Sequence, residues 1–396
     1  MIAEQLLDPV KVLSAAPGRP GGYLQSLAGT ALMHARLAQV DSRLEAAARA
    51  HWAAAAQPAA GSPSPGVLGA PGGLAASLIL AEGYLTDPGP HQETIRKAVR
   101  WLSAQAVRTT ADSQDRARHR QAIPLEAYDT ITGVSGTGRI LLAARTHGHR
   151  DAEQGLAAAL EMLTHMITSP KTAARPGWWH PGGEDPTAGS PDLGLAGTGM
   201  AHRITGPVAL LSLAHIAGYS VSGQAAAIKE AATWLIRWQD GSTWPPYVTG
   251  TELDTGIAAP ATGRRDAWCY GTPGICSALA LAGKATGDPV FVRTAETAVG
   301  VLTSRSVAEW DCQGLALCHG YAGVLQATGA ASAATAITGT FDPGMRSCFQ
   351  RAGGQASQDD SGFLTGAAGI ALALADHADL PARESPSRWD AILLLA

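Results

Sequence analysis

Two of the five cysteines, Cys269 and Cys318, share a local context: each stands five residues before the second glycine of a Gly-x-x-Gly turn, ending at Gly274 and Gly323. His319 stands four residues before Gly323 and His202 four before Gly206, while Tyr270 holds the same offset before Gly274. Asp129 lies seven before Gly136. If these turns meet in space, two thiols, two imidazoles and a carboxylate gather at one place. Two thiolates and an imidazole suit Zn²⁺, and three protein ligands leave a fourth position for a substrate, whereas structural zinc sites usually have four ligands and are closed. A helix starting just after each cysteine favours thiolate through the positive end of its dipole. The competing reading is two inert thiols, the usual fate of buried cysteine. Cys276, Cys312 and Cys348 share no such register and read as structural. His147, His149 and His180 read as loop or rim residues.

The elements that position these residues repeat along the chain. A glycine turn followed by a small, apolar run appears as GAPGGLAASLILA from Gly69, GVSGTGRILLAA from Gly133, GTPGICSALALA from Gly271, GYAGVLQA from Gly320 and GAAGIALALA from Gly366. Two degenerate copies, around Gly29 and Gly206, keep only the second glycine. With 46 glycines, about five such glycine pairs are expected by chance. The inference therefore rests on the apolar continuation and on the spacing of the second glycines at 29, 72, 136, 206, 274, 323 and 369. These runs are apolar nearly all round, which predicts helices buried on every side. Between them lie amphipathic helices: Ile228, Ala231, Ala232, Leu235 and Ile236 make one face, Phe291, Ala295, Ala298 and Leu302 another, and Ile95, Ala98, Val99 and Leu102 a third. Asp288-Pro289 reads as a cap followed by a first-turn proline.

Seven pairs of an outer amphipathic and an inner apolar helix predict an all-α chain. An open solenoid would need polar end caps, yet the last unit runs into ILLLA at the C-terminus. Closure into an α/α toroid, a double-layered barrel of seven helical hairpins in one domain over 1–396, removes the exposed ends and places every glycine turn at one mouth. The Pro/Gly-rich stretches from Gln57 to Gly66 and RPGWWHPGGEDP from Arg175 read as rim loops.

Composition narrows the function classes. Charged residues make up 16%, against roughly 25% in an average domain, and a 46% apolar share implies extensive burial. A net charge of −4 gives no nucleic-acid footprint. No apolar run reaches the roughly 18 residues of a membrane span. The N-terminus, MIAEQLLDPV, lacks the basic region of a secretory signal. An odd number of cysteines without framework spacing points to a reducing cytoplasm.

The residues at the turns resemble those of a known family. Trp268-Cys269-Tyr270-Gly271-Thr272-Pro273-Gly274 and Cys318-His319-Gly320-Tyr321-Ala322-Gly323 are similar to the two signature motifs of the lanthionine synthetase C-like (LanC) cyclases. Leu193-Gly194-Leu195-Ala196 with Ala201-His202 and Gly206-Pro207 resembles that family's third histidine motif. Two departures stand out: Arg203 follows His202 where the family usually has glycine, and GTGM intervenes before Ala201. The resemblance covers nearly the whole chain and implies a seven-unit toroid with one zinc held by Cys269, Cys318 and His319. It implies a catalytic pair, His202 and Asp129, with Arg265 and Tyr270 as auxiliaries. From the residues alone, His202 also reads as a satisfied core histidine, Asp129 as a helix cap and Arg265 as a surface ion-pair partner.

The implied reaction adds a peptide cysteine thiol to the β-carbon of a dehydroalanine or dehydrobutyrine, forming a (methyl)lanthionine thioether ring. Zinc raises the thiolate fraction roughly 30-fold for a pKa drop from near 8.5, but nucleophilicity falls with basicity. Positioning, with effective molarities of roughly 10⁵–10⁸ M, is the larger contribution. The resemblance further implies a monomeric cytoplasmic enzyme, a dehydrated precursor peptide as substrate and a dehydratase as partner. Two other readings stay open: a zinc-thiolate enzyme of similar fold that adds glutathione to dehydroamino acids or prenylates protein thiols, and a non-catalytic zinc-stabilised scaffold that binds peptide. Ten tryptophans read either as a peptide-gripping rim or as core packing.

Overall fold

Each of the seven post-glycine runs forms a helix: Leu27–Leu37, Gly72–Ala81, Val134–Thr146, Thr205–Ile216, Thr272–Thr286, Tyr321–Thr328 and Ala367–His377. The computed structural model describes residues 1–396 except 16–19, 58–63, 65, 120, 171, 173, 182–193, 259–264, 346–347, 350–359 and 396. Parts of both expected rim loops, together with Leu193 and Arg264, fall outside the described residues. All eleven residues of Leu27–Leu37 are buried, as expected of a helix apolar on all sides. The seven helices pack on one another in chain order and the last packs on the first, so they form a closed ring. Outside them lie Arg43–Ala55, Gln92–Arg118, Glu153–Thr168, Gln224–Arg237, Pro289–Ser304 and Ala331–Thr338. These bury one face only. Phe291, Ala295, Ala298 and Leu302 form the buried stripe of Pro289–Ser304, and the Asp288 carboxylate caps that helix by accepting from the Val290 N–H at 2.9 Å. The architecture is an α/α toroid. The one sheet among the described residues pairs Leu195–Gly197 antiparallel with Tyr247–Thr249, and no described helix is long and apolar enough to cross a membrane.

No outer helix follows the seventh inner one among the described residues. Against it packs the N-terminal Ile2–Gln5, while Pro9–Ala15 packs on Leu27–Leu37 and Arg43–Ala55. Two buried histidines hold this N-terminal pair: His34 Nε2 lies 3.0 Å from the Leu6 carbonyl and His51 Nε2 3.2 Å from that of Leu7. Burial lowers both imidazoles, His34 to about 3.

The recurrence of the second glycine has a steric cause. A Cβ at Gly29, Gly72, Gly136, Gly206, Gly274, Gly323 or Gly369 would run into a backbone carbonyl of its own turn, those of Leu24, Gly66, Thr130, Met200, Trp268, Leu317 and Phe363 respectively. The turns are also bonded to one another. Leu24 N–H donates to Leu68 at 3.1 Å, Val67 to Ile131 at 3.3 Å, Thr130 to Ala201 at 3.0 Å and Met200 to Cys269 at 2.9 Å. Cys269 then donates to Cys318 at 3.1 Å, Cys318 to Leu364 at 2.9 Å and Phe363 back to Leu24 at 3.1 Å. Every unit thus donates to the next in one rotational sense until the circle is complete. Four residues before each second glycine stand Gln25, Leu68, Thr132, His202, Tyr270, His319 and Thr365, and all seven are half-buried.

Of the C-terminal ILLLA run, the described residues 392–395 lie inside the ring. Trp389–Leu393 forms a 3₁₀ turn against the inner helices Gly72–Ala81 and Val134–Thr146. The Trp389 N–H donates to the Tyr84 hydroxyl at 3.1 Å, and its Nε1 donates to Asp376 at 2.9 Å. Gln326 Nε2 donates to Asp390 at 2.7 Å, and Trp268 Nε1 to the Leu393 carbonyl at 2.9 Å. Contacts with five of the seven units place this run in the bore as a plug.

Candidate functional site

The interturn bonds bring the cysteines together. Because Cys269 N–H bonds the Cys318 carbonyl, the two residues sit side by side on neighbouring turns. The ligand atoms of Cys269, Cys318 and His319 lie within 4.8 Å of one another. The Gln313 N–H, at 2.7 Å from the His319 carbonyl, fixes the backbone of the third residue. The Cys318 thiol hydrogen-bonds Cys269, and this, with His319 and the Tyr270 N–H, holds Cys269 down to about 5 against its burial. Cys318 is pushed well up, by that same bond to Cys269 and by burial. The pair therefore gives up one proton readily and keeps the second. Two sulfurs and an imidazole at this spacing fit Zn²⁺ in chemistry and number, with one tetrahedral position not supplied by them.

On the other flank, the Cys269 carbonyl accepts from Met200 and Ala201 at 2.9 and 3.1 Å, which docks the His202 turn beside the cysteines. Thr130 secures it from the far side, its hydroxyl bonding the Met200 carbonyl at 2.7 Å. His202 Nδ1 lies 2.6 Å from Asp129 Oδ2. The side chain of His202 is 41% exposed and that of Asp129 2%. A half-exposed ring is not a satisfied core histidine. Asp129 Oδ1 accepts from the Thr132 N–H at 2.6 Å, the Thr132 hydroxyl at 3.0 Å and the Gly133 N–H at 2.8 Å. Asp129 thus ties down the turn that leads into the helix Val134–Thr146 and orients His202 at once; the cap position of that helix is Gly133, so Asp129 is not its N-cap. A carboxylate only accepts, so Nδ1 is the donor and the lone pair of neutral His202 sits on Nε2.

The auxiliaries differ. The Tyr270 ring lies against Gly199, where a Cβ would come within 2.6 Å of it, so it abuts the His202 turn. Arg265 is half-buried, and its guanidinium has no hydrogen-bond or ion-pair partner among the described residues. The expected ion pair at this point belongs instead to Asp266 and Arg305, at 2.9 Å. Arg203, the departure after His202, is buried with its side chain against Gly197 and donates to the His202 carbonyl at 3.1 Å. Thr130 and Thr132 were not singled out from the sequence. Thr132 carries a usable signal, since it shares the four-residue offset of His202 and His319.

Other expected rim residues are packed away. His149 pairs with Glu82 at 2.7 Å, both side chains nearly buried, so it is no solvated loop residue. His180 is buried and pairs through its backbone with Leu195. Trp178 is buried edge-on against Trp234, with ring centroids 5.1 Å apart. Trp179 is half-buried beneath Arg175, whose guanidinium stands 4.7 Å from the ring centroid. Core packing, not a gripping rim, accounts for Trp178, Trp244, Trp268 and Trp389. Cys276 and Cys348 are buried and Cys312 donates to the Asp266 carbonyl at 2.9 Å. Burial drives the thiols of Cys276 and Cys312 up to about 12.

Comparison with known proteins speaks to the fold and the family. The profile of the lanthionine synthetase C-like proteins matches residues 21–394. The nisin biosynthesis protein NisC of Lactococcus lactis subsp. lactis is 30% identical over 139 residues, which span 34% of this chain and 32% of that relative. A solved structure, nisin cyclase, superposes with a TM-score of 0.78 at 19% identity, covering 99% of this chain and 96% of that one, and so has the same fold. With the profile spanning nearly every unit of the ring, the chain belongs to the lanthionine synthetase C-like family.

Proposed function

We propose that this protein is a zinc-dependent lanthipeptide cyclase, closing (methyl)lanthionine rings in a dehydrated precursor peptide. The observation that carries the reading is the adjacency, on bonded turns, of the Cys269–Cys318–His319 donor set and the His202–Asp129 pair. Cys269, Cys318 and His319 would hold one Zn²⁺, which when bound stabilises thiolate and fixes where the substrate sulfur lies. The Nε2 lone pair of His202 takes the thiol proton as the carbon–sulfur bond forms at the alkene β-carbon. The π electrons move onto the carbonyl as an enolate, and the imidazolium returns the proton to the α-carbon. Asp129 holds the ring in the orientation and tautomer this exchange needs. Arg265 and Tyr270 serve as auxiliaries, Arg265 by steadying the enolate oxygen. The chain acts as one domain in the cytoplasm, downstream of a dehydratase. Cys318→Ala is expected to lose the metal and the cyclisation of a dehydrated precursor together, read by elemental analysis and by mass spectrometry of thiol-alkylated product. Retention of both would overturn the assignment.

A further inference from the structure

Trp268 immediately precedes Cys269 and is buried. Its carbonyl lies under Gly274 and its Cβ beside Gly323, where added Cβ atoms would come into contact with them. The residue is thus wedged between the two turns that carry Cys269 and Cys318. Its indole reaches away from the mouth, and Nε1 donates to the Leu393 carbonyl at 2.9 Å, inside the bore. Leu393 belongs to the plug, which is anchored independently by Tyr84, Gln326 and Asp376. Leu394 then takes a left-handed conformation, φ 54°, and is fully buried. A non-glycine residue in that region is held there only by its surroundings.

We infer that the C-terminal plug is a positioning element for the metal site, acting through the Trp268–Leu393 hydrogen bond to set where the Cys269 sulfur stands relative to Cys318. The inference rests on the proposed zinc site. Cys269 has its backbone fixed on both flanks by neighbouring turns, and its own turn is closed by the Asp266–Gly271 bridge; the Trp268 indole adds a tie from that turn into the bore. The indole is a rigid strut, bonded at its far end to the Leu393 carbonyl at 2.9 Å, with the plug as its footing. Residues that orient metal ligands typically change affinity by about 10–100-fold when altered.

The test uses the full chain with Co²⁺ and Zn²⁺ as probes. Trp268→Phe keeps an aromatic ring and removes the donor. Truncation after Ala391 removes the acceptor. Trp52→Phe is the control, because its Nε1 makes a comparable buried bond to the Ser77 hydroxyl at 2.9 Å, away from the mouth. Both Trp268→Phe and the truncation are expected to bind Zn²⁺ about 10–100-fold more weakly and to shift the thiolate-to-Co²⁺ charge-transfer band. Trp52→Phe is expected to lower the melting temperature and leave both readouts unchanged. Wild-type affinity and an unshifted band in Trp268→Phe would overturn the inference while leaving the zinc site intact. Absence of stoichiometric metal in the wild-type chain would overturn the site assignment itself, and this inference with it.

Discussion

At the scale of single residues, the site is a set of shared protons. Cys269 is held down to about 5 and Cys318 is pushed up, so zinc uptake near pH 7 is expected to release about one proton per chain from the cysteine pair. As the pH falls through about 5 Cys269 also becomes protonated; release then rises towards two and affinity falls more steeply. Calorimetry in buffers of different ionisation enthalpy measures this. Asp129→Asn keeps the bonds to Thr132 and Gly133 through its amide oxygen but turns an N–H donor towards His202 Nδ1. The imidazole must then place its proton on Nε2, where the reaction needs a lone pair. Cyclisation is expected to fall by about 10²–10⁴-fold, the usual worth of a positioned acid–base group, with zinc content unchanged. The offsets of Cys269, Cys318, His319, His202 and Asp129 from their glycines were legible in the sequence because one turn geometry is repeated. The three bonds that Asp129 Oδ1 accepts, and the Glu82–His149 pair, were not, since they depend on which side chains a turn happens to face.

At the scale of elements, helix type could be read from periodicity and connection could not. The all-round apolar runs and the stripes at Phe291, Ala295, Ala298 and Leu302 predict inner and outer helices correctly. That the N-terminal Ile2–Gln5 packs against the last inner helix, Ala367–His377, and that the Trp389–Leu393 turn fills the bore against Trp268 and Tyr84, 125 and 305 residues away, depends on long-range contacts invisible to any local pattern. The N-terminal pair of helices carries its own pH dependence. His34 and His51 are neutral in the folded ring, with values below their ordinary 6.5. Above that value the clasp on Leu6 and Leu7 contributes its full stability. As the pH falls below 6.5 the opened state binds protons that the closed state does not, and the stability drains away towards pH 3. Hydrogen exchange at residues 2–15 is expected to accelerate between pH 7 and pH 5 relative to the inner helices. His34→Gln, which retains a donor without the titration, flattens that profile.

At the scale of the whole molecule, the ring differs from an open array of hairpins. In an array each unit meets only its neighbours and can unfold piecemeal from an end. Here the last turn donates to the first and the plug touches five units, so no unit is terminal. Denaturation in guanidinium is expected to be one cooperative transition, with coincident tryptophan fluorescence and far-UV circular dichroism. Two separated transitions would contradict closure as the source of stability. The circle of turns has one more consequence. Because main-chain groups bond tangentially from one turn to the next, much of the scaffolding at the opening is independent of the side chains displayed there. His202, Tyr270 and His319 occupy three consecutive stations of the seven-residue rim, leaving Gln25, Leu68 and Thr365 on the opposite arc. On that arc Gln25 accepts from the Leu364 N–H at 2.8 Å and the Thr365 hydroxyl donates to Asp360 at 2.6 Å, so Leu68 is the station whose side chain can be exchanged with the frame left standing.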